Sequence, residues 1–392
     1  MGQLNASTVS WDVPPRTQDR QSQHDISDKY WWSKEIGSHL MLLLTKAGYA
    51  LDAQVEALTF LYHILEWGDG NKPPEVRYSI EAIPPVANTA SDPLNQAATY
   101  ALLSQLQAMS PNIDLSLFHH FAASFFGPRS PGKFTSTTVT RQQSSLFLAF
   151  EMSRHIGEIS TKCYFVPVPT VSNTVAEQIS SAIKSSSYHS HLPAITELEQ
   201  FLLHDRDGQT IIPIMLGIDC VDPSKSRLKI YARSTKTSFE FVRRVMSLGG
   251  RRQGIEEEEK QLKDLWCRVL GLPEVMNMEE ELHFCDHPTA GTLFYFDVGP
   301  KEVAPDVKVY IPVRHYSESD RKITDGLASF MKKYGRGSFV DGYKEVVEGL
   351  ATKKGIDEGT GVHTYVTAAY QNGGLAVTSY FNPQLHHRAR WA

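Results

Sequence analysis

Segments with a two-residue apolar period alternate along the chain with segments that have the 3.6-residue period of amphipathic helices. In the clearest strand, Leu228 and Ile230 lie on one face. The alternate positions Arg227, Lys229 and Tyr231 lie on the other face, and the segment contains no acid. Because the apolar face predicts packing against a core, two cations and a phenol should project together from the opposite side.

Strands and helices follow one another in pairs along most of the chain. The pattern predicts strands over residues 75–83, 135–152, 160–167, 211–219, 226–233, 291–298, 306–313, 361–370 and 374–381. It predicts helices over residues 26–47, 51–66, 94–108, 114–126, 173–185, 193–204, 237–247, 256–269, 319–334 and 338–351. Strands joined by short turns are antiparallel, and about ten of them can close into a barrel ringed by helices, with a lumen that holds a ligand. The predicted fold class is therefore α+β.

The chain is predicted to form one domain between two tails. Residues 1–25 are polar and lack periodicity, which indicates a mobile N-terminal tail. Residues 26–385 contain no Pro/Gly-rich linker and are predicted to form a single barrel domain. Residues 386–392 form a short basic C-terminal tail.

Composition excludes several functional classes. The net charge is −5, so the chain as a whole is not expected to bind nucleic acid, and any positive potential must be local. No apolar run is long enough to span a membrane. The four cysteines lack the spacing of a zinc site and are typical of a reduced, cytoplasmic protein. A pocket rather than a charged surface is therefore expected to carry the chemistry.

A cation followed two residues later by tyrosine recurs in three predicted strands. These are Lys162-Cys163-Tyr164, Lys229-Ile230-Tyr231 and Lys308-Val309-Tyr310. If the three strands share one sheet, their side chains form an interior lined by cations and aromatic rings, which suits a polyanion. The alternatives are that the cations pair with surface acids and that the tyrosines only fill a core.

Several segments together resemble a known family. With the pair Trp31-Trp32, they are Arg77–Ile83, Ser226–Tyr231, Leu248–Arg252 and Lys308–Tyr316. In this order, the segments resemble those of the dimethylallyltryptophan synthase family, the fungal and bacterial indole prenyltransferases with the ABBA barrel. The resemblance spans about residues 28 to 383. It implies transfer of a dimethylallyl group from dimethylallyl pyrophosphate to an indole-containing acceptor by electrophilic aromatic substitution, in indole alkaloid biosynthesis. It also implies that no metal or other cofactor is needed, since protein cations stabilise the leaving pyrophosphate.

The resemblance assigns roles to individual residues. Those at positions that bind the pyrophosphate are Lys162, Arg227, Lys229 and Lys308. A shield of rings, which stabilises the allyl cation and excludes water, is matched by Tyr164, Tyr231, Tyr310 and Tyr380, with Tyr365 as a further candidate. Glu81 matches the residue that accepts the indole N–H. Leu293 matches a position where pocket depth sets the prenyl length, and its mid-sized side chain favours a five-carbon donor.

Three positions depart from the family pattern. Ser91 stands where members that act on free tryptophan often have arginine, and Ala376 where a second tyrosine is usual. No lysine lies near Phe147, where some members have a proposed base. These departures leave the proton acceptor open and favour an indole larger than free tryptophan. The alternatives are a prenyltransferase acting on phenols or polyketides and a non-catalytic barrel that binds an isoprenoid phosphate; a homodimer is left open.

Overall fold

The computed structural model describes residues 64–67, 75–82, 89, 91–110, 112–127, 145–152, 159–170, 172–351, 355–371 and 373–382. The predicted tails over 1–25 and 386–392, the pair Trp31-Trp32 and the helix predicted over 26–47 lie outside these ranges. Within them, no helix combines the length and apolar character needed to cross a membrane. The four cysteines are all free thiols.

The described residues include ten β-strands joined in one antiparallel sheet. The strands are β1 Ile64–Trp67, β2 Glu75–Ile80, β3 Leu146–Met152, β4 Ile159–Phe165, β5 Ile212–Asp219, β6 Leu228–Ser234, β7 Thr292–Val298, β8 Asp306–Ile311, β9 His363–Gln371 and β10 Gly374–Phe381. Each strand pairs with its neighbour in sequence, and β1 also pairs with β10, so the sheet closes into a barrel. The antiparallel pairing predicted from the strand pairs is confirmed.

Nine α-helices lie between the strands in the described part of the chain. They are α1 Ala97–Met109, α2 Ser116–Phe126, α3 Val175–Ser185, α4 Ala194–His204, α5 Phe239–Met246, α6 Glu256–Leu270, α7 Val313–Tyr316, α8 Asp320–Lys333 and α9 Val340–Leu350. Local chemistry sets several of their ends. A capping box between Thr174 and Glu177 begins α3, and Gly271, in the left-handed conformation, ends α6.

The hydrophobic core lies between the helices and one face of the sheet. Phe121 and Phe125 of α2 pack against Phe165 of β4, and Phe241 of α5 meets Phe294 of β7 edge-on, with 6.0 Å between ring centroids. Leu228, Ile230 and Ala232 of β6 belong to the same core cluster. Because strand side chains alternate, Lys229, Tyr231 and Arg233 project from the opposite face, which lines the barrel lumen. The face assignment predicted for β6 is confirmed.

One predicted element is wrong where the structure describes it. The helix expected over residues 51–66 overlaps β1, in which Ile64 lies opposite both Tyr380 and Arg77. The sequence around β1 is apolar on several consecutive positions and suits either a helix or a buried strand. Pairing with β2 and β10 decides between them and supplies the tenth strand, since the apolar pattern marked only nine.

Candidate active site

Three buried lysines meet inside the barrel. Lys162 on β4, Lys229 on β6 and Lys308 on β8 are each 5–7% exposed. They line one cavity together with four tyrosines, Tyr164, Tyr231, Tyr295 and Tyr380. Arg227, immediately before β6, is nearer the solvent, with 44% of its side chain exposed. The structure therefore brings together the cation and tyrosine positions that were predicted to share an interior.

Two of the lysines and the arginine are paired with acids from neighbouring strands. Lys162 forms an ion pair with Glu151 on β3. The Nζ of Lys229 lies 3.2 Å from an Asp219 carboxylate oxygen on β5. Arg227 contacts both Asp219, at 3.3 Å, and Asp297 on β7, at 3.2 Å. The β6 segment itself contains no acid, and the acids that pair with its cations come from β5 and β7.

The carboxylates reduce the net positive charge of the cavity. Four cations, Lys162, Arg227, Lys229 and Lys308, face three carboxylates, Glu151, Asp219 and Asp297, so this set carries four minus three charges, or +1. A bound polyanion would therefore compete with these carboxylates for the same N–H donors. Until an anion binds, the ion pairs with Glu151 and Asp219 hold the Lys162 and Lys229 side chains in the lumen.

Burial shifts the protonation of this network. Desolvation, helped by the nearby charge of Lys162, lowers the pKa of Lys229 to about 8, although Asp219 and Asp297 oppose the shift. Burial alone would raise the pKa of Asp219, but Lys229, Lys162 and Arg227 together hold it below its usual value. Burial raises the pKa of Asp297, and the pull of Lys229 and Arg227 does not cancel that rise. Lys229 is thus a cation whose charge is lost at mildly alkaline pH.

Tyrosine rings form a continuous cluster beside the lysines. Tyr231 lies 5.8 Å from Tyr164 and 6.0 Å from Tyr310 between ring centroids. Tyr310 in turn lies 5.2 Å from Tyr380, with 3.0 Å between the two hydroxyl oxygens, and 5.6 Å from Tyr365. All five tyrosines predicted as a shield therefore belong to one cluster. Burial raises the pKa of Tyr164, Tyr231 and Tyr310, so their hydroxyls stay protonated and can donate hydrogen bonds.

Tyr295 is a sixth member of the cluster that the sequence reasoning missed. Its ring lies 5.3 Å from that of Tyr231, and the Nζ of Lys308 lies 5.4 Å from its centroid. The motif of a cation two residues before a tyrosine is absent from β7, because Leu293 precedes Tyr295 at that spacing. Alternation alone would have identified it, since Leu293, Tyr295 and Asp297 share one face of β7.

A glycine leaves room for one ring of the cluster. A Cβ atom added to Gly217 on β5 would lie 2.9 Å from Cδ1 and Cε1 of Tyr164. Real Cβ atoms do not approach ring carbons so closely, so the Tyr164 ring occupies the space that a side chain at position 217 would fill. Gly217 is also the cross-strand partner of both Tyr164 and Lys229. It therefore helps to set the position of the ring next to the lysine.

Glu81 follows β2 and is held by the start of α1. Asn95 donates a hydrogen bond from Nδ2 to Oε1 of Glu81 at 2.7 Å. Asn95 adopts a positive φ of 52°, which asparagine tolerates better than most residues. Asp92 accepts the backbone N–H groups of Gln96 and Ala97 at the start of the helix. The run from Asp92 to Asn95 thus orients the carboxylate that was predicted to accept the acceptor's N–H.

The remaining predicted positions are spread over the lumen and the surface. Leu293, on the inner face of β7, lies opposite both Arg233 and Tyr310. Phe147, on β3, lies opposite Tyr164 on β4. Ser91 is exposed and bonds to Thr89 through its hydroxyl. Ala376 follows the pairing line from Lys308 through Ala369. It therefore adjoins the lysine end of the lumen, although its departure from the family pattern was interpreted as favouring a larger acceptor.

Metal ligands are not grouped in this part of the molecule. Among the residues that the structure describes, no three histidine, cysteine, aspartate or glutamate side chains are placed to hold a metal ion. Turnover without an added metal stays a prediction, and so do the roles of the individual site residues.

Solved structures share this fold at low sequence identity. AnaPT from Neosartorya fischeri superposes with a TM-score of 0.73 and 21% identity, covering 91% of this chain and 94% of its own. NotF, solved with brevianamide F and DMSPP, superposes with a TM-score of 0.76 and 19% identity over 97% of this chain and 99% of its own. The two comparisons show that the fold is that of the ABBA prenyltransferases.

Sequence relatives extend along nearly the whole chain. The 4-O-dimethylallyl-L-tyrosine synthase of Claviceps purpurea is 31% identical, over 90% of this chain and 87% of its own. Xanthone prenyltransferase B of Emericella nidulans is 28% identical, over 98% of this chain and 93% of its own. A family model described as tryptophan dimethylallyltransferase matches residues 64–346. The chain therefore belongs to the tryptophan dimethylallyltransferase family and is a prenyltransferase.

Proposed function

We propose that the protein transfers a dimethylallyl group from dimethylallyl pyrophosphate to an electron-rich aromatic acceptor in the barrel lumen, with the outer helices closing the barrel from solvent. The observation that carries the proposal is the convergence of Lys162, Lys229 and Lys308 on one cavity walled by tyrosines. A phosphate-binding site needs the cations, whereas an allyl cation needs the rings. Because the cations and the rings are adjacent, they support a reaction that produces an anionic pyrophosphate and an allyl cation together.

The reaction begins when the carbon–oxygen bond of the donor breaks and its electron pair leaves with the pyrophosphate. Negative charge grows on the leaving group, and fixed cations such as Lys229 and Arg227 lower that barrier. The faces of Tyr231, Tyr295 and the other rings stabilise the allyl cation and keep water from capturing it. The aromatic acceptor then forms the new bond to the cation and loses a proton to Glu81 or to water, which restores aromaticity.

The proposal includes independence of metal ions. Magnesium usually neutralises pyrophosphate in prenyl transfer, and here Lys162, Arg227, Lys229 and Lys308 would supply the positive charge instead. On donor binding, Lys229 would exchange its hydrogen bond to the Asp219 carboxylate for one to a phosphate oxygen. Activity that persists in excess EDTA would support this part of the proposal.

Two acceptor classes are supported by different observations. Glu81, aligned by Asn95, can accept an indole N–H and so raise the electron density of the ring, which supports an indole acceptor and, with it, a role in indole alkaloid biosynthesis. A phenolic acceptor is the second candidate, because relatives at 28–31% identity are named for tyrosine and for xanthones. A phenol needs no N–H acceptor. Glu81→Gln should therefore reduce turnover of indoles but leave turnover of phenols largely intact.

The test is incubation with dimethylallyl pyrophosphate and EDTA across a panel of indoles, tyrosine derivatives and hydroxyxanthones. Mass spectrometry should show the gain of one dimethylallyl group on at least one acceptor. Pyrophosphate that binds tightly without any product from the panel would contradict the proposed transfer. The Glu81→Gln variant, assayed on every productive acceptor, then separates the indole class from the phenolic class.

A further inference from the structure

The inner face of β6 carries a second arginine beyond the tyrosine cluster. Arg227, Lys229, Tyr231 and Arg233 occupy successive alternate positions, so each is about 7 Å from the next along the strand. The first two adjoin the proposed pyrophosphate position, and Tyr231 adjoins the allyl group. Arg233 therefore lies at the far end of the line, where the proposed acceptor would sit.

Arg233 differs from Arg227 in what surrounds it. Arg227 contacts two carboxylates, Asp219 and Asp297. Arg233 donates to the backbone carbonyl of Pro288, and its buried Nε has no hydrogen-bond partner. Among the described residues, no carboxylate forms an ion pair with Arg233. A guanidinium stays charged in proteins, so this half-buried group has an unmet capacity for an anion.

A second arginine, Arg314 in α7, follows β8 near the same end of the lumen, because Tyr310 of β8 pairs with Leu293, which pairs with Arg233. We name the set Arg233, Arg314, His287 and His315 the rim cluster. Thr289 links it, because its hydroxyl contacts His315 Nε2 at 2.7 Å and His287 Nδ1 at 2.9 Å. Burial lowers the pKa of His315, and His287, Arg314 and Arg233 lower it further, so this imidazole is neutral at neutral pH. His315 therefore adds no positive charge beside Arg233 and Arg314.

The rim charges act on the lumen itself. Burial raises the pKa of Tyr365 on β9, while Arg233 and Arg314 both pull it down. Tyr365 packs edge-on against Tyr310 and so joins the rim cluster to the tyrosine shield. An acceptor ring that packs near Tyr310 and Tyr365 would place an acidic substituent within reach of both arginines.

We propose that the acceptor carries an acidic oxygen group, a carboxylate or an ionised phenol or enol, and that Arg233 and Arg314 bind it at the rim of the barrel. Arginine suits this role because its planar fork donates two parallel hydrogen bonds to a pair of oxygens. The group would anchor the acceptor at one end while its aromatic carbon or oxygen faces the allyl cation. The inference rests on the proposed transfer and narrows its acceptor class.

The test compares matched acceptors on the wild type and on Arg233→Gln and Arg314→Gln. The pairs are L-tryptophan with tryptamine, L-tyrosine with tyramine, and a hydroxyxanthone with its O-methyl ether. The wild type should prefer the acidic member by at least about tenfold in kcat/KM in one or more pairs. Both variants should lose that preference, while the Kd for inorganic pyrophosphate stays within about twofold. The pairs that respond tell a carboxylate from an ionised phenol.

Controls separate this inference from the proposed function. Arg206→Gln changes an exposed arginine in the turn after α4 and should preserve the acidic preference. Calorimetric titration of each acceptor into protein saturated with inorganic pyrophosphate measures the preference without turnover. If no acceptor is prenylated but the acidic preference in binding disappears in Arg233→Gln, the inference stands and the transfer fails. A preference that survives in both variants, or equal use of both members of every pair, would overturn the inference.

Discussion

Removing the charge of Lys229 tests the lumen assignment most directly. Methionine at this position keeps an unbranched stem of similar length, so Lys229→Met should preserve packing in a site that is 6% exposed. In the wild type, the Lys229 Nζ lies 3.2 Å from an Asp219 oxygen. A phosphate oxygen that replaces this carboxylate would sit at a comparable distance. The variant therefore removes one cation from the place where the leaving group gathers charge.

The expected fall in rate follows from that distance and from the low polarity of the surroundings. Two unit charges about 4 Å apart interact by roughly 4 kcal/mol at an effective dielectric constant near 20. Deleting one preorganised donor in other enzymes costs about 3 kcal/mol, which is roughly a 150-fold fall in rate. Breaking a buried pair usually destabilises the fold by about 3–5 kcal/mol. The loss of folding stability should be smaller here, because Arg227 and Lys162 still face Asp219.

The assay is pyrophosphate release under single-turnover conditions, with thermal unfolding measured in parallel. Lys225→Met, the same change at an exposed lysine shortly before β6, should match the wild type in both measurements. Lys229→Met should also bind inorganic pyrophosphate more weakly. A folded Lys229→Met protein that releases pyrophosphate at the wild-type rate would refute the assignment of this cavity to the donor.

Two further predictions concern the same cavity. Since only protonated Lys229 carries charge and its pKa is lowered to about 8, kcat/KM for the donor should be greatest below that pH and fall as pH rises through it. A pH–rate profile should show this alkaline limb in the wild type, and a limb that persists unchanged in Lys229→Met would assign it to another group. Gly217→Ala should displace the Tyr164 ring, at a stability cost of roughly 1–3 kcal/mol, and let more of the cation be captured by water. The ratio of dimethylallyl alcohol to prenylated acceptor measures that leak against Gly337→Ala, where an added Cβ comes no closer than 3.7 Å to another residue, and an unchanged ratio would show that the ring does not shield the cation.

Local pattern was sufficient to predict most of the described elements. The strand predicted over 226–233 is β6 at Leu228–Ser234, and the helix predicted over 256–269 is α6 at Glu256–Leu270. These predictions hold because side-chain alternation and helical periodicity are properties of a single segment. The segment at β1 shows the limit, since a short apolar run has no period that separates strand from helix. Its strand conformation depends on pairing of Ile64 with Arg77 on β2 and with Tyr380 on β10, which is remote in sequence.

The sequence by itself determined which side chains of each strand share a face, and so it identified Lys162, Lys229, Lys308 and their tyrosines as candidates for one interior. Only the tertiary structure decided which acids meet those cations, that Tyr295 completes the cluster, and that Arg233 stands without a carboxylate among the described residues. The physical reason is register. Alternation along a strand is local, whereas the side chain that lies opposite a given residue depends on hydrogen bonds between strands that are far apart in the chain.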